Sequence, residues 1–337
     1  MTATSPPATA AATGTPPRSE RRRARGRQKA AARPVRRALL RAATVAAPFL
    51  ATGCAWTRIP GLRYAPPLLA LSRDGAPGRI VLLGTVHAGL PRFYPLPAAV
   101  EQAFAHASRL LVEVDVEARA AAIRATGAAL GVLPEGETLE TVLRPSTYRA
   151  LRAAWRDRPW DLHAMRRLRP WALALQLPDL DDARLGADPR DGLERHLIDR
   201  ARGRGMSVIE LEDAGAQVRA FAGGPPDEQD AALALRLAAR AAHARTYGRI
   251  VDAWRTGDLE ALAALKDLAF PPDGALAGLR RRLFADRDEG LADGLAQALD
   301  RPDTAMALVG TLHLAGPDAL QHALARRGVA ARRVDAG

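Results

Sequence analysis

The sequence predicts an α/β fold: a central mixed or parallel sheet made from two strand, Gly-Thr-x-His, helix, strand repeats, with a large helical insertion between them. Three observations carry this expectation. Two short apolar runs, 80–83 and 306–309, end in Gly84-Thr85-Val86-His87 and Gly310-Thr311-Leu312-His313. Each is followed by a Gly- and Pro-bearing loop, a helical stretch and a β-rich run, the order that builds a sheet flanked by helices. Between the repeats, long stretches have helical composition with apolar faces, broken by Gly/Pro clusters.

Taken in order, residues 1–33 are Ala, Pro, Thr and Arg without apolar periodicity, a composition too poor in apolar surface to offset chain entropy. They are expected to be disordered. Arg36-Arg37 and Arg41 then precede a mostly apolar stretch to Thr52, and Gly53-Cys54 follows. A basic region, a short apolar run and small residues before a cut form an export signal too short to span a bilayer. The paired arginines resemble a twin-arginine signal, and Ala51-Thr52-Gly53-Cys54 resembles a bacterial lipobox, with Ala where Leu is commoner. Cys54 is therefore expected to be lipidated, placing the chain in the cell envelope or periplasm on a membrane anchor; the alternative is a buried or spare thiol. With no second cysteine there is no intrachain disulfide, and cysteine usage alone does not reveal the compartment.

Residues 54–77 are expected as a linker and 78–334 as the folded domain, with the insertion over about 135–300. The first repeat runs from 80–83 through turns at Gly89-Leu90-Pro91 and Tyr94-Pro95-Leu96-Pro97 to a helix over 98–106 and a strand over 110–115. Helices are expected over 139–156, 164–177, 193–203, 228–255 and 276–299, and one strand over 207–212. That strand echoes 110–115 and is placed parallel beside it, with Glu212 next to Glu113. The second repeat closes with a loop at Gly316-Pro317, a helix over 318–326, Gly328 as its stop and a strand near 329–334.

The formal charge of +12 suggests nucleic acid until it is located. Residues 1–53 hold eleven basic groups and one acid, so removing that surplus of ten leaves +2 for residues 54–337. That is too little for a phosphate-tracking surface, and with aromatics at 4% nucleic acid is set aside. Trp160, Trp171 and Trp254 read as helix packing, and His106, His163, His196, His243 and His322 as structural or solvated.

Both motif histidines fall at strand C-termini, where open α/β sheets place ligands. A glycine three residues before each, Gly84 and Gly310, permits a sharp turn or close approach, and a neutral imidazole offers nitrogen to a metal. Glu113 sits in Leu111-Val112-Glu113-Val114-Asp115, where a buried acid needs a partner. A cation bound with His87 and His313 supplies one, and two His with one carboxylate is a familiar divalent-metal set. Glu113 is either a ligand or the general base. Glu212 is read either as a carboxylate orienting a ligating His or as a strand-end acid capping the next helix. Thr85 and Thr311 are expected to bond local backbone.

These residues resemble the TraB/PrgY/GumN family and its Tiki-like relatives, marked by paired Gly-x-x-His motifs with a glutamate after the first. Further landmarks are similar to the GumN-type branch: Pro170-Trp171, Gly192-Leu193-Glu194, Leu211-Glu212 with Gln217, Trp254 through Gly257-Asp258, and Arg287-Asp288. Two departures stand out, Glu194 where the family more often has Asp and Asp288 where it more often has Asn. The resemblance implies a metal-dependent hydrolase acting on a peptide or protein, with manganese or cobalt as the ion and zinc an alternative. Arg287 would then donate to a substrate carbonyl or developing oxyanion, against a plain reading as a helix-surface arginine. Because TraB-type members are linked to peptide pheromones, the same resemblance also leaves room for an envelope binding protein without turnover, its ligand a peptide or a metal complex.

Overall fold

A computed structural model describes residues 64–156, 162–177 and 185–334 of the 337-residue chain. The basic leader, the paired arginines, Cys54 and Trp160 lie outside these described residues.

Six strands form one mixed sheet: β1 (Leu68–Arg73), β2 (Arg79–Thr85), β3 (Arg109–Val112), β4 (Ser207–Glu210), β5 (Thr304–Gly310) and β6 (Val329–Arg333), in the order β4-β3-β5-β2-β1-β6. Strands β4, β3, β5 and β2 run parallel, and β1 is antiparallel to both β2 and β6. The two repeats thus supply β2 with β3 and β5 with β6, and their motif strands β2 and β5 are direct neighbours. Backbone pairing continues past β4, because Leu211 N–H donates to Val112 O and Glu212 N–H to Glu113 O at 2.8 and 2.9 Å. Glu212 accordingly lies beside Glu113.

Strand β5 shows why the sheet is stable without its polar edge. Met306 and Leu308 face one core, while Ala305, Ala307 and Val309 face the other, the alternation of a strand covered on both sides. Helices α1 (Ala98–His106), α2 (Leu193–Gly203) and α3 (His243–Thr256) cover the first face through Phe104, Leu197, Val251 and Trp254. The second is covered by α4 (Ala285–Ala298) and α5 (Leu320–Arg326) through Leu291, Leu295, Leu320 and Leu324. Each such side chain contributes roughly 1.5–3 kcal/mol on burial.

The structure corrects several expected boundaries. The stretch expected as linker contributes β1, whose Leu68, Leu69 and Leu71 are buried. Proline at the first turn starts separate helices at Pro145 and Pro170 inside the expected 139–156 and 164–177, as its missing N–H allows. The helix expected over 228–255 is two, Pro226–Ala239 and α3, joined by a 3-10 turn at Arg240–Ala242. The one expected over 276–299 breaks at Phe284 (φ −120°, ψ −79°) into Ala277–Leu283 and α4. This last break matters most, since it puts Arg287 and Asp288 in the first turn of α4 and lays the Phe284 ring 5.2 Å from that of His313.

Candidate functional site

The parallel register pairs Gly84 with Val309 and Thr85 with Gly310, so the two Gly-Thr-x-His motifs leave the sheet staggered by one residue. Trp254 fixes the first exit by donating its indole N–H to Gly84 O at 2.8 Å. Beyond β2 the chain bends at 87–88 and His87 is exposed, with 70% of its side-chain surface accessible. Beyond β5 it closes into a 3-10 turn, Thr311–Leu314, which buries His313. A common motif therefore yields one open and one enclosed imidazole.

Both rings are anchored through Nδ1 to a carboxylate, His87 to Glu194 at 2.9 Å and His313 to Asp288. Each Nε2 is thereby left for the site, the arrangement that orients metal-ligating histidines. At His313 the tautomer follows from chemistry. Arg287 Nη1 lies 3.1 Å from His313 Nε2, and since an arginine can only donate, Nε2 accepts and Nδ1 carries the proton toward Asp288.

Glu113, first residue past β3, is buried and reaches across β5. Its Oε1 accepts from Gly310 N–H at 2.5 Å, and its Oε2 accepts from Arg287 Nη2 at 2.5 Å and Gln217 Nε2 at 3.0 Å. Gly310 is the hub of this cluster. A Cβ there would stand 3.3 Å from Glu113 Oε1, 3.4 Å from His87 Nε2 and 3.7 Å from His313 Cδ2, so the three expected ligands converge on the face that glycine leaves bare. Gly84 has a packing role instead, because a Cβ on it would stand 2.9 Å from Thr311 Oγ1 and 3.0 Å from Leu314 Cδ1.

Arg287 ties the acids together. Its Nε and Nη2 donate to Glu212 Oε1 and Oε2 at 2.8 and 2.9 Å, Nη2 also to Glu113, and Nη1 to Leu283 O at 3.0 Å and to His313. It is a buried cross-link, and the helix-surface reading fails. Glu212 therefore acts on the cluster through Arg287; the carboxylates on the histidines are Glu194 and Asp288. Thr85 Oγ1 also departs from expectation, donating to Glu194, and Thr311 Oγ1 is buried without a partner among the described residues.

Electrostatics follow from this wiring. Burial pushes Glu113 up, but the fields of His313, Arg287 and His87, with the Gly310 N–H, overcome it and hold the carboxyl at about 2. Glu212 lacks that surround, and burial raises it despite Arg287. Asp288 is likewise raised by burial, against the pull of His313. Glu194 raises His87 to about 9, with burial working the other way; water at the exposed ring screens part of that field.

The cluster floors a cleft of about 330 Å³ whose walls include Phe221, Ile250, Phe270, Phe284 and Leu312. Among the described residues no group of three or more His, Cys, Asp or Glu side chains is arranged to hold a metal ion outright. The reason is visible: Arg287 stands at His313 Nε2 and at Glu113, whose second oxygen is held by Gly310. In donor chemistry the residues nevertheless fit a divalent cation, with two anchored imidazoles, one ionised carboxylate and a surplus of acids over Arg287.

Sequence reasoning did not assign Glu194, Asp288 and Gln217 their roles. Their signal was the family resemblance, in which Glu194, Gln217 and Asp288 stood as landmarks without a partner assigned to any of them. Among the described residues no helix is long and apolar enough to cross a membrane. No curated protein and no solved structure matches the chain. The model of the TraB/PrgY/gumN family matches residues 67–333, which takes in all six strands, both Gly-Thr-x-His motifs, Glu113 and Arg287, and the chain belongs to that family.

Proposed function

We propose that the chain is a divalent-metal-dependent hydrolase, a peptidase, exported and held at the envelope membrane through lipidated Cys54. One observation carries the catalytic reading: His87 Nε2, Glu113 Oε1 and the His313 ring converge on the bare face of Gly310 at the floor of a cleft, with both Nδ1 atoms held by carboxylates. His87, His313 and Glu113 would hold the ion, manganese or cobalt by family resemblance. When bound, the ion supplies a Lewis acid for the carbonyl and lowers the pKa of a water to about 7.

The chain's own residues do the rest. Asp288 fixes the Nδ1–H tautomer of His313 so that Nε2 offers its lone pair. Glu113, at about 2, is ionised throughout the neutral range, which favours a ligand over a general base, whose pKa should lie near the working pH. Arg287 is bonded to His313, Glu113 and Glu212; with an ion held by His313 and Glu113 it would keep Glu212 and present Nη1 to the oxyanion that forms as water adds to the carbonyl carbon. The proton that the water gives up on adding passes to the amide nitrogen, the C–N bond breaks, and the amine leaves neutral beside the new carboxyl group. The apolar walls limit water around the reacting centre.

A second reading, an envelope protein that binds a peptide or metal complex without turnover, draws on the same wiring, because both Glu113 oxygens are satisfied without any ion. Elemental analysis of the purified chain, followed by a peptide-cleavage screen with added manganese, cobalt or zinc, separates the two. Metal-dependent cleavage is the expected result. Bound metal without cleavage across the screen would favour the binding protein.

A further inference from the structure

Beside the cleft lies a second cavity of about 110 Å³, whose lining includes Trp171, Leu175, Ala232, Leu276 and Leu279. Phe221 and Phe270 line both cavities, so the second adjoins the walls of the cleft whose floor holds His87, Glu113 and His313. We infer that it is a specificity subsite for an uncharged, leucine-sized apolar side chain adjoining the bond to be cleaved, an inference that rests on the peptidase reading above.

Three features support this occupant. The size suits it, since an apolar cavity of about 150 Å³ accepts a benzene ring. The charged groups of the lining are already engaged: Arg282 Nη2 donates to Glu228, and Arg236 has its own interactions. A charged side chain would thus enter an apolar space without a counter-ion. The Trp171 indole N–H is buried with no partner among the described residues, and a buried donor left unmet is costly. A turn of the Trp171 side chain, which lines the cavity, would offer this donor to the carbonyl of a peptide whose side chain fills the pocket.

The test uses the full chain and two series of measurements. In the first, calorimetry without added metal compares acetylated, amidated pentapeptides with Leu, Ala, Glu or Lys at the centre of an alanine background. The Leu peptide should bind about 10–50-fold more tightly than the Ala peptide, with Glu and Lys weaker than Ala. Filling the pocket by Ala232→Leu, or by Ala269→Leu should the first variant misfold, should remove most of the Leu preference. Trp171→Phe should weaken both peptides a few-fold. Equal binding of Leu and Ala peptides by the wild type, no binding of either, or a preference that survives in a folded filled variant would overturn the subsite. In the second series, cleavage with added manganese is scored for the same peptides. Leu-selective binding without cleavage would overturn the hydrolase and uphold the subsite; cleavage with no Leu preference would do the reverse.

Discussion

Replacing Arg287 with methionine removes the cation that two buried carboxylates share while keeping much of the side chain's length. The guanidinium and the carboxylates of Glu113 and Glu212 are only 11%, 8% and 6% exposed, so solvent cannot take over its role. Breaking such a pair by deleting one partner costs about 3–5 kcal/mol, because the remaining charge is stranded. For a domain of this size that lowers Tm by roughly 10 °C. The pH dependence has a definite sign. In the wild type Glu113 is held at about 2 against 4.5 in the unfolded chain, so its contribution is complete above pH 4.5 and is lost as pH falls through 2. In Arg287→Met burial acts with less opposition and both carboxyls rise, so the deficit should be largest at pH 7 and shrink as pH falls toward 4.5. A divalent cation should restore what the guanidinium supplied: manganese should raise the variant's Tm more than the wild type's, while hydrolysis stays lost. Urea denaturation at pH 7 and 4.5, with and without manganese, reads all of this. A variant within about 0.5 kcal/mol of wild type at pH 7 without metal, the range of an ordinary surface substitution, would refute the reasoning.

Other outcomes follow from the same geometry. Asp288→Ala should lower metal affinity about 10–100-fold by freeing the His313 ring, with Asp288→Asn recovering part of the loss, since an amide oxygen still accepts from Nδ1–H; calorimetry checks both. Because Glu194 raises His87 above the ordinary imidazole value and the ring must lose its proton to ligate, metal affinity should climb about tenfold per pH unit while that proton is held and level off at a pH above 6.5. Glu194→Gln should move the levelling point down toward 6.5, as metal titrations across pH would record. If Cys54 is lipidated, Cys54→Ser should leave the chain unprocessed or release it from membranes, whereas unchanged partitioning in fractionated cells would defeat the anchor.

How much of this was legible in the sequence depends on the range of the interaction. The motif strands were readable because their signal is local, an apolar run closed by Gly-Thr-x-His at 84–87 and again at 310–313, and duplication made each copy credible. The pairing of Glu212 with Glu113 was legible from the echo between 207–212 and 110–115. Strand β1 was not, since its short run follows Pro66-Pro67 in a stretch with the look of a linker and becomes a strand only by pairing with β2 and β6. The break at Phe284 carries no Gly or Pro. It exists because Phe284 packs on Phe270 and His313, contacts that no local pattern announces. The partners of the histidines were hidden likewise: 107 residues separate Glu194 from His87, and Asp288 lies on a helix whose start depends on that break.

The central claim is that His87, Glu113 and His313 act on one cation, and calorimetric titration of manganese into the purified chain tests it most directly. The wild type should bind one ion per chain. His87→Ala, Glu113→Gln and His313→Ala should each bind at least about tenfold more weakly with near-native circular dichroism, as expected where apolar burial supplies most of the stability. His322→Ala, on the exposed side of α5, should bind like the wild type. A wild type that binds no ion, or binding that survives unchanged in all three site variants, would contradict the account.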